Sequence, residues 1–111
     1  MKQPPLGRTG LRISEFCLGT MTWGTQTSEA GAHNRIDLAL EQGLTFRDIA
    51  EMYPTTPVLA ENVGRTEKII GRWLATGGPR DRVVLATKVT GAGQSAVRDG
   101  ARSPLPRCAA P

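Results

Sequence analysis

"FRDIAEMYP", residues 46–54, sets an aspartate and a tyrosine five positions apart behind a short apolar run. Extended backward to "LTFRDIA", residues 44–50, the segment reads as a strand that runs out into a Pro-containing loop. The same kind of unit recurs on both sides of it. Upstream, "ISEFCLG", residues 13–19, is an apolar run broken by Glu15 and ended by Gly19, and it reads as a strand. Between the two, "TQTSEAGAHNRIDLALEQG", residues 25–43, places Ala32, Ile36, Ala39 and Leu40 at helical spacing. Ser28 stands as its N-cap and Gly43 just past its end. Downstream, "RTEKIIGRWLATGGP", residues 65–79, aligns Ile69, Ile70, Trp73 and Leu74 on one helical stripe that Gly77, Gly78 and Pro79 stop. "RVVLATKV", residues 82–89, then has the β-branched and apolar content of a buried third strand. "KQPPLGRTGLRIS", residues 2–14, opens the chain as a short hairpin turning at Gly7 to Gly10. The order hairpin, β, α, β, α, β leaves room for crossover helices, so an α/β fold with a parallel sheet and right-handed crossovers is the economical topology.

Composition bounds what such a chain can be. Its 111 residues make one domain at most, with a modest core. Thirteen glycines and eight prolines exceed the roughly 12% of average usage and point to many turns. Half of the net charge of +4 lies in the last twenty residues, where Arg98, Arg102 and Arg107 face only Asp99. With no run of like charge and no basic-aromatic interleaving, a dedicated nucleic-acid surface is not expected. Cys17 and Cys108 lie far apart and outside any CxxC spacing, so neither a disulfide scaffold nor a metal site is expected. The N-terminus lacks the apolar core of a signal peptide, and no stretch reaches the ~18 apolar residues of a membrane span. A cytoplasmic setting is the expectation. Residues 1–91 read as the structured part. From "TGAGQSAVRDG" onward the periodicity disappears, and residues 92–111 read as an irregular tail, disordered or frameshifted.

Ligands of parallel α/β folds meet the chain at the carboxyl ends of the strands. Three groups fall there: Gly19, Thr20 and Met21 after the first strand, Asp48 and Tyr53 at and after the second, and Lys88 at the end of the third. A phenol with its ordinary pKa of about 10 is a poor acid at neutral pH, and a neighbouring ammonium corrects this by stabilising the phenolate. An aspartate beside the lysine would hold it charged and oriented. Tyr as proton donor, Lys as tuner and Asp as orienter form a sensible set for protonating a carbonyl oxygen. Taken singly, Asp48 reads as a turn cap, Tyr53 as a ring packed over Pro54 and Lys88 as an ordinary strand-end lysine. Their joint occurrence with the Gly19 loop favours the chemical reading. "GRTEKIIGRW" is not GxxxxGK[ST] and "TGAGQS" lacks GxGxxG, so neither a phosphate loop nor a Rossmann fingerprint is supported.

"LGRTGLRIS", "LGTMTWG", "FRDIAEMYP" and "LATKV", in that order, resemble the N-terminal third of the aldo/keto reductases, in the branch with a GTMTWG-like first loop and a DxAExYP-like second one. The resemblance runs from about Leu6 to Val89 and fades toward Gly100. It implies a partial (β/α)₈ TIM barrel, here the N-terminal hairpin plus about three βα strand positions, and NADPH as the reductant of an aldehyde or ketone. By match of motif, Asp48, Tyr53 and Lys88 fall on three of the family's four catalytic positions, with Tyr53 as general acid. Gly19, Thr20, Met21 and Asp48 fall on cofactor-binding positions, and Trp23 is expected to face the substrate pocket.

The departures carry expectations of their own. The family's catalytic histidine follows the fourth strand, which is not legible here; His33, the one histidine, reads as a solvated helix residue. Arg47 and Ile49 share the strand face that packs under the helices, where the family usually has an apolar or aromatic residue and Thr. A guanidinium there is expected to weaken the second strand unless it snorkels out or finds a carboxylate. With a barrel needing about 250 residues, the chain reads as a truncated or frameshifted product without independent activity. The alternative function is a non-catalytic fragment that acts by association with a partner, or with itself, through the exposed sheet edge.

Overall fold

The computed structural model describes residues 1–89. The expected tail at 92–111, with Cys108, lies outside the described residues. Three parallel strands, β1 (Cys17–Gly19), β2 (Phe46–Asp48) and β3 (Val84–Ala86), form one sheet in the order β1-β2-β3. They are joined by helices α1 (Glu29–Glu41) and α2 (Arg65–Ala75), as the sequence order implies. The register aligns Leu18 with Arg47 and Leu85, and Gly19 with Asp48 and Ala86.

Both helices end where the glycines predict. Ser28 caps α1 by accepting a bond from the Gly31 amide at 3.1 Å. Past the other end Gly43 takes a left-handed φ of 80°, its amide bonds Leu40 O and that of Leu44 bonds Ala39 O, which satisfies carbonyls the helix leaves open. The same pattern closes α2, through Gly77 to Leu74 O and Gly78 to Trp73 O. Gly78 has a second constraint: a Cβ there would sit 2.5 Å from the Trp73 indole.

The strands are shorter than the apolar runs that predict them. Buried Ser14 puts its hydroxyl where a ladder would run, accepting from the Thr45 and Phe46 amides at 3.0 and 3.2 Å and donating to Phe16 O at 2.6 Å. Side-chain bonds thus replace strand pairing before Cys17. The expected hairpin is present, with Pro5 bridging Arg12 in antiparallel fashion and Leu6 N bonding Leu11 O at 2.8 Å. Its Gln3 ties it to Gly43 O and the Thr45 hydroxyl, at the amino ends of the strands.

Trp23, Ile36, Leu40, Ile49, Ile69, Ile70, Trp73 and Val83 form the core, with Leu18 and Leu85 packed against it. The helices therefore cover one sheet face. On the other, Cys17 and Gly19 are exposed and Phe46, Asp48, Val84 and Ala86 half-buried. His33 departs from its expected solvated position: it is half-buried and its Nε2 lies 2.8 Å from Ile69 O, tying α1 to α2. One turn on, Trp73 Nε1 donates to Asp37 at 2.8 Å, and Arg72 pairs with Glu29.

Arg47 is buried as expected, at 1% exposure, but it neither snorkels nor meets a carboxylate. Its guanidinium donates to the carbonyls of Leu44 at 2.8 Å, Phe46 at 3.2 Å and Ile36 at 3.4 Å, leaving Nε without a partner. Burial pulls its pKa below the ordinary guanidinium value. Carbonyls of α1, of the α1–β2 connection and of β2 itself lie within reach, which sequence spacing does not reveal.

Candidate active site at the strand ends

Parallel register brings the ends of β1, β2 and β3 level, so Gly19, Asp48 and Ala86 lie side by side. Pairing continues past the strands: Ile49 N bonds Ala86 O at 2.8 Å and Glu51 N bonds Lys88 O at 3.0 Å. Two residues beyond Ala86, Lys88 shares its face and therefore that of Asp48. Its Nζ donates to Asp48 Oδ1 at 2.6 Å and lies 5.0 Å from the centre of the Tyr53 ring, within cation–π reach. The three expected groups are in one place.

Tyr53 is held through its backbone, its amide bonding Ala50 O at 3.1 Å and its carbonyl accepting from Thr66 N at 3.3 Å. Thr20, fully buried, donates its hydroxyl to Asp48 O at 2.8 Å and so fastens the first loop to the end of β2. Gly19 and Met21 are exposed at the same end. Trp23 is elsewhere. Expected at a substrate pocket, it is 1% exposed and packs in the core, because its loop folds back to let Thr66 Oγ1 bond its carbonyl at 2.8 Å.

The electrostatics follow from the contacts. Desolvation alone would lower the Lys88 pKa, but hydrogen bonding and charge from Asp48 and Tyr53 outweigh it and raise the pKa above the ordinary lysine value. Desolvation, with the Asp48 charge adding, pushes the nearby Cys17 thiol above its ordinary value. An oriented ammonium beside a phenol can stabilise a phenolate, which is what a proton-donating tyrosine requires.

Sequence reasoning missed Thr66 and Glu67, buried at 0% and 2% exposure. Glu67 accepts the Thr87 hydroxyl at 2.9 Å, one residue from Lys88. The signal existed: Thr66 lies three and four positions before Ile69 and Ile70, on the same buried stripe. A cavity of about 310 Å³ between the start of α1 and α2 is lined by Gly24, Ser28, Arg65, Lys68 and Arg72 among others, and not by Asp48, Tyr53 or Lys88. It is separate from the strand-end site. Among the described residues, no group of three His, Cys, Asp or Glu could hold a metal ion, and no helix is long and apolar enough to cross a membrane.

Known proteins carry a similar stretch. An uncharacterised oxidoreductase of Bacillus subtilis, YrpG, is 50% identical over 90 residues, covering 80% of this chain and 26% of that protein. Protein tas of Escherichia coli is 44% identical over 91 residues, 82% of this chain and 26% of its own length. The chain thus spans about a quarter of these relatives. An uncharacterised 11.2 kDa protein of Pseudescherichia vulneris is 34% identical over 85 residues, 76% of this chain and 82% of that one. The profile of the aldo/keto reductase family matches residues 15–107, which take in the three strands and two α-helices of the described residues and the strand-end trio. A parallel βαβαβ unit whose matched residues gather at the carboxyl ends of its strands is thereby accounted for, and the chain belongs to the aldo/keto reductase family.

Proposed function

We propose that residues 1–91 are part of a (β/α)₈ barrel whose strand-end site reduces an aldehyde or ketone with NADPH. The observation that carries this reading is the 2.6 Å Lys88–Asp48 bond with the Tyr53 ring 5.0 Å from the same nitrogen. Tyr53 gives its phenolic proton to the carbonyl oxygen of the substrate. Lys88 stabilises the phenolate left behind until solvent returns the proton. Asp48 keeps Lys88 charged and aimed, and Thr20 fixes Asp48 through its backbone.

The chain fits a nicotinamide ring at this end. Gly19 is exposed, with no atom within 4 Å of where a Cβ would sit, and Met21 beside it is 45% exposed, so a flat ring has both clearance and an apolar contact. Gly19, Met21 and Asp48 would hold it, while Thr20, expected among the cofactor contacts, is buried and acts beneath them through Asp48 O. When bound, the cofactor supplies the reducing equivalent; the protein aligns and protonates.

Fluorescence titration of the 111-residue chain with NADPH tests the reading, with Lys88→Met as control. Saturable binding that the substitution abolishes is expected. Absence of binding would overturn the reading for this chain. It would leave a second one, favoured by the sheet face that no described helix covers and by Phe16 and Val89, 64% and 63% exposed. In that reading the chain is a non-catalytic fragment that associates through its open sheet, with a copy of itself or with a complementary chain. Sedimentation velocity across a concentration series would show it as a shift to larger species.

A further inference from the structure

Asp48 and Tyr53 reach Lys88 from two sides. Asp48 holds the ammonium, but something must hold the chain that carries it, since β3 is only three residues long and Lys88 lies two residues past its end. The first turn of α2 performs that task for all three segments. Thr66 gives its amide, one of the donors a helix leaves unpaired, to Tyr53 O at 3.3 Å, and its hydroxyl to Trp23 O at 2.8 Å. Glu67, next in sequence and 2% exposed, accepts the hydroxyl of Thr87 at 2.9 Å. A carboxylate in a first helical turn is commonly there for the helix dipole, exposed to water. This one is instead buried and aimed at the residue before Lys88.

We propose that Glu67 is a positioning residue, which fixes the β3 end through Thr87 so that Lys88 meets Asp48 and Tyr53. Thr66 anchors the same turn to the first and second loops, so Glu67 acts from a fixed point. The inference rests on the reading of Asp48, Tyr53 and Lys88 as one site, but the Lys88–Asp48 pair is observable without turnover or cofactor.

The test follows the titration of Lys88 by NMR in the full chain labelled at lysine Cε. The chain has three lysines, so Lys88→Met assigns the resonance, and Asp48→Asn gives the midpoint of an unpaired Lys88. Thr87 is exposed, so Thr87→Val removes the hydroxyl without opening the core. The expected result is that Thr87→Val and Glu67→Ala both move the Lys88 midpoint down toward the Asp48→Asn value. Thr87→Ser and Glu67→Gln, which keep a donor and an acceptor, hold it at the parent value. Buried-tryptophan fluorescence reports that each chain is folded. An unchanged Lys88 midpoint in folded Thr87→Val would overturn the proposal, and so would unfolding by Thr87→Val, which would make the contact one of general stability. Loss of NADPH binding with the Lys88 pattern intact would sink the cofactor reading and leave this one standing.

Discussion

Replacing Arg47 with methionine is expected to stabilise the fold. The guanidinium is 1% exposed, and of its three contacts only the one to Leu44 O, at 2.8 Å, is short; Phe46 O and Ile36 O stand at 3.2 and 3.4 Å. Ile36 lies inside α1, where its carbonyl also serves the helix ladder. Against these bonds stand the desolvation of the charge, effectively several kcal/mol, and the unpaired Nε, about 1–3 kcal/mol. Methionine fills a similar volume with a flexible apolar chain and leaves mainly Leu44 O short of a donor, a cost of about 1–3 kcal/mol. Exchange of a buried ion pair for well-packed apolar residues is neutral to stabilising by about 1–4 kcal/mol; setting the Leu44 penalty against the middle of that range leaves a gain of about 0.5 kcal/mol. For a domain this small that raises the melting midpoint by roughly 2–4 °C. Thermal unfolding followed by circular dichroism, at neutral pH, measures it. Arg47→Lys, which keeps the charge and loses the fork, should melt below the parent. A midpoint for Arg47→Met below that of the parent would refute the reasoning, because the three carbonyls would then outweigh the cost of burying the charge.

Two further outcomes are expected in the same assay. Gly78→Ala should destabilise by about 1–3 kcal/mol, because the new Cβ meets the buried Trp73 ring at 2.5 Å, whereas Gly71→Ala, in open space inside α2, should stabilise by about 0.5–1 kcal/mol; equal effects would contradict the packing argument. The Lys88 pKa is raised in the folded chain, so its pairing contributes fully below the unfolded lysine value of 10.5 and is lost as pH climbs through the folded value. Melting midpoints should therefore fall at alkaline pH more in the parent than in Asp48→Asn, by a small margin since Lys88 is half exposed; parallel profiles would contradict the pairing.

The helices were legible because their ends carry local chemistry that acts in the folded chain as it does in a peptide. Ser28, Gly43 and Gly77 each fill the role their residue type prescribes. Strand extents were less legible. Apolar runs mark where a strand can be, but the hydroxyls of Ser14 and Thr45 compete for the same backbone groups, and that competition is settled by residues 31 positions apart. The trio was legible for a similar reason to the helices: parallel register makes strand-end position in sequence equivalent to position in space. Trp23 and His33 were not. A loop residue's direction depends on which partner captures its carbonyl, here Thr66, and a helix residue's exposure on which neighbour packs beside it, here Ile69. Glu67 was hidden by its own type, since an acid in a first helical turn reads as solvent-facing.

The geometry of the trio needs only neighbours. Asp48 ends the middle strand, Lys88 lies just past the strand on one side of it and Thr20 just past the strand on the other, and Tyr53 is in the loop after the middle one, so three strands suffice to set the 2.6 Å contact. Its strength is another matter. The side chains of Lys88 and Asp48 are 50% and 45% exposed, and an ion pair so wet contributes about 0–1 kcal/mol, far less than it would with water excluded. A proton donor likewise gains from a dry, preorganised surrounding. The described residues therefore build the arrangement and leave its field weak. Whatever covers the open sheet face would strengthen the Lys88–Asp48 pair without moving it, and the exposure of Lys88 is thus the quantity that links the catalytic reading to the associative one. A covering partner should shift the Lys88 titration midpoint, with desolvation lowering it and the strengthened Asp48 pairing raising it, and should protect its ammonium protons from exchange, whereas an association that leaves the strand ends free should do neither.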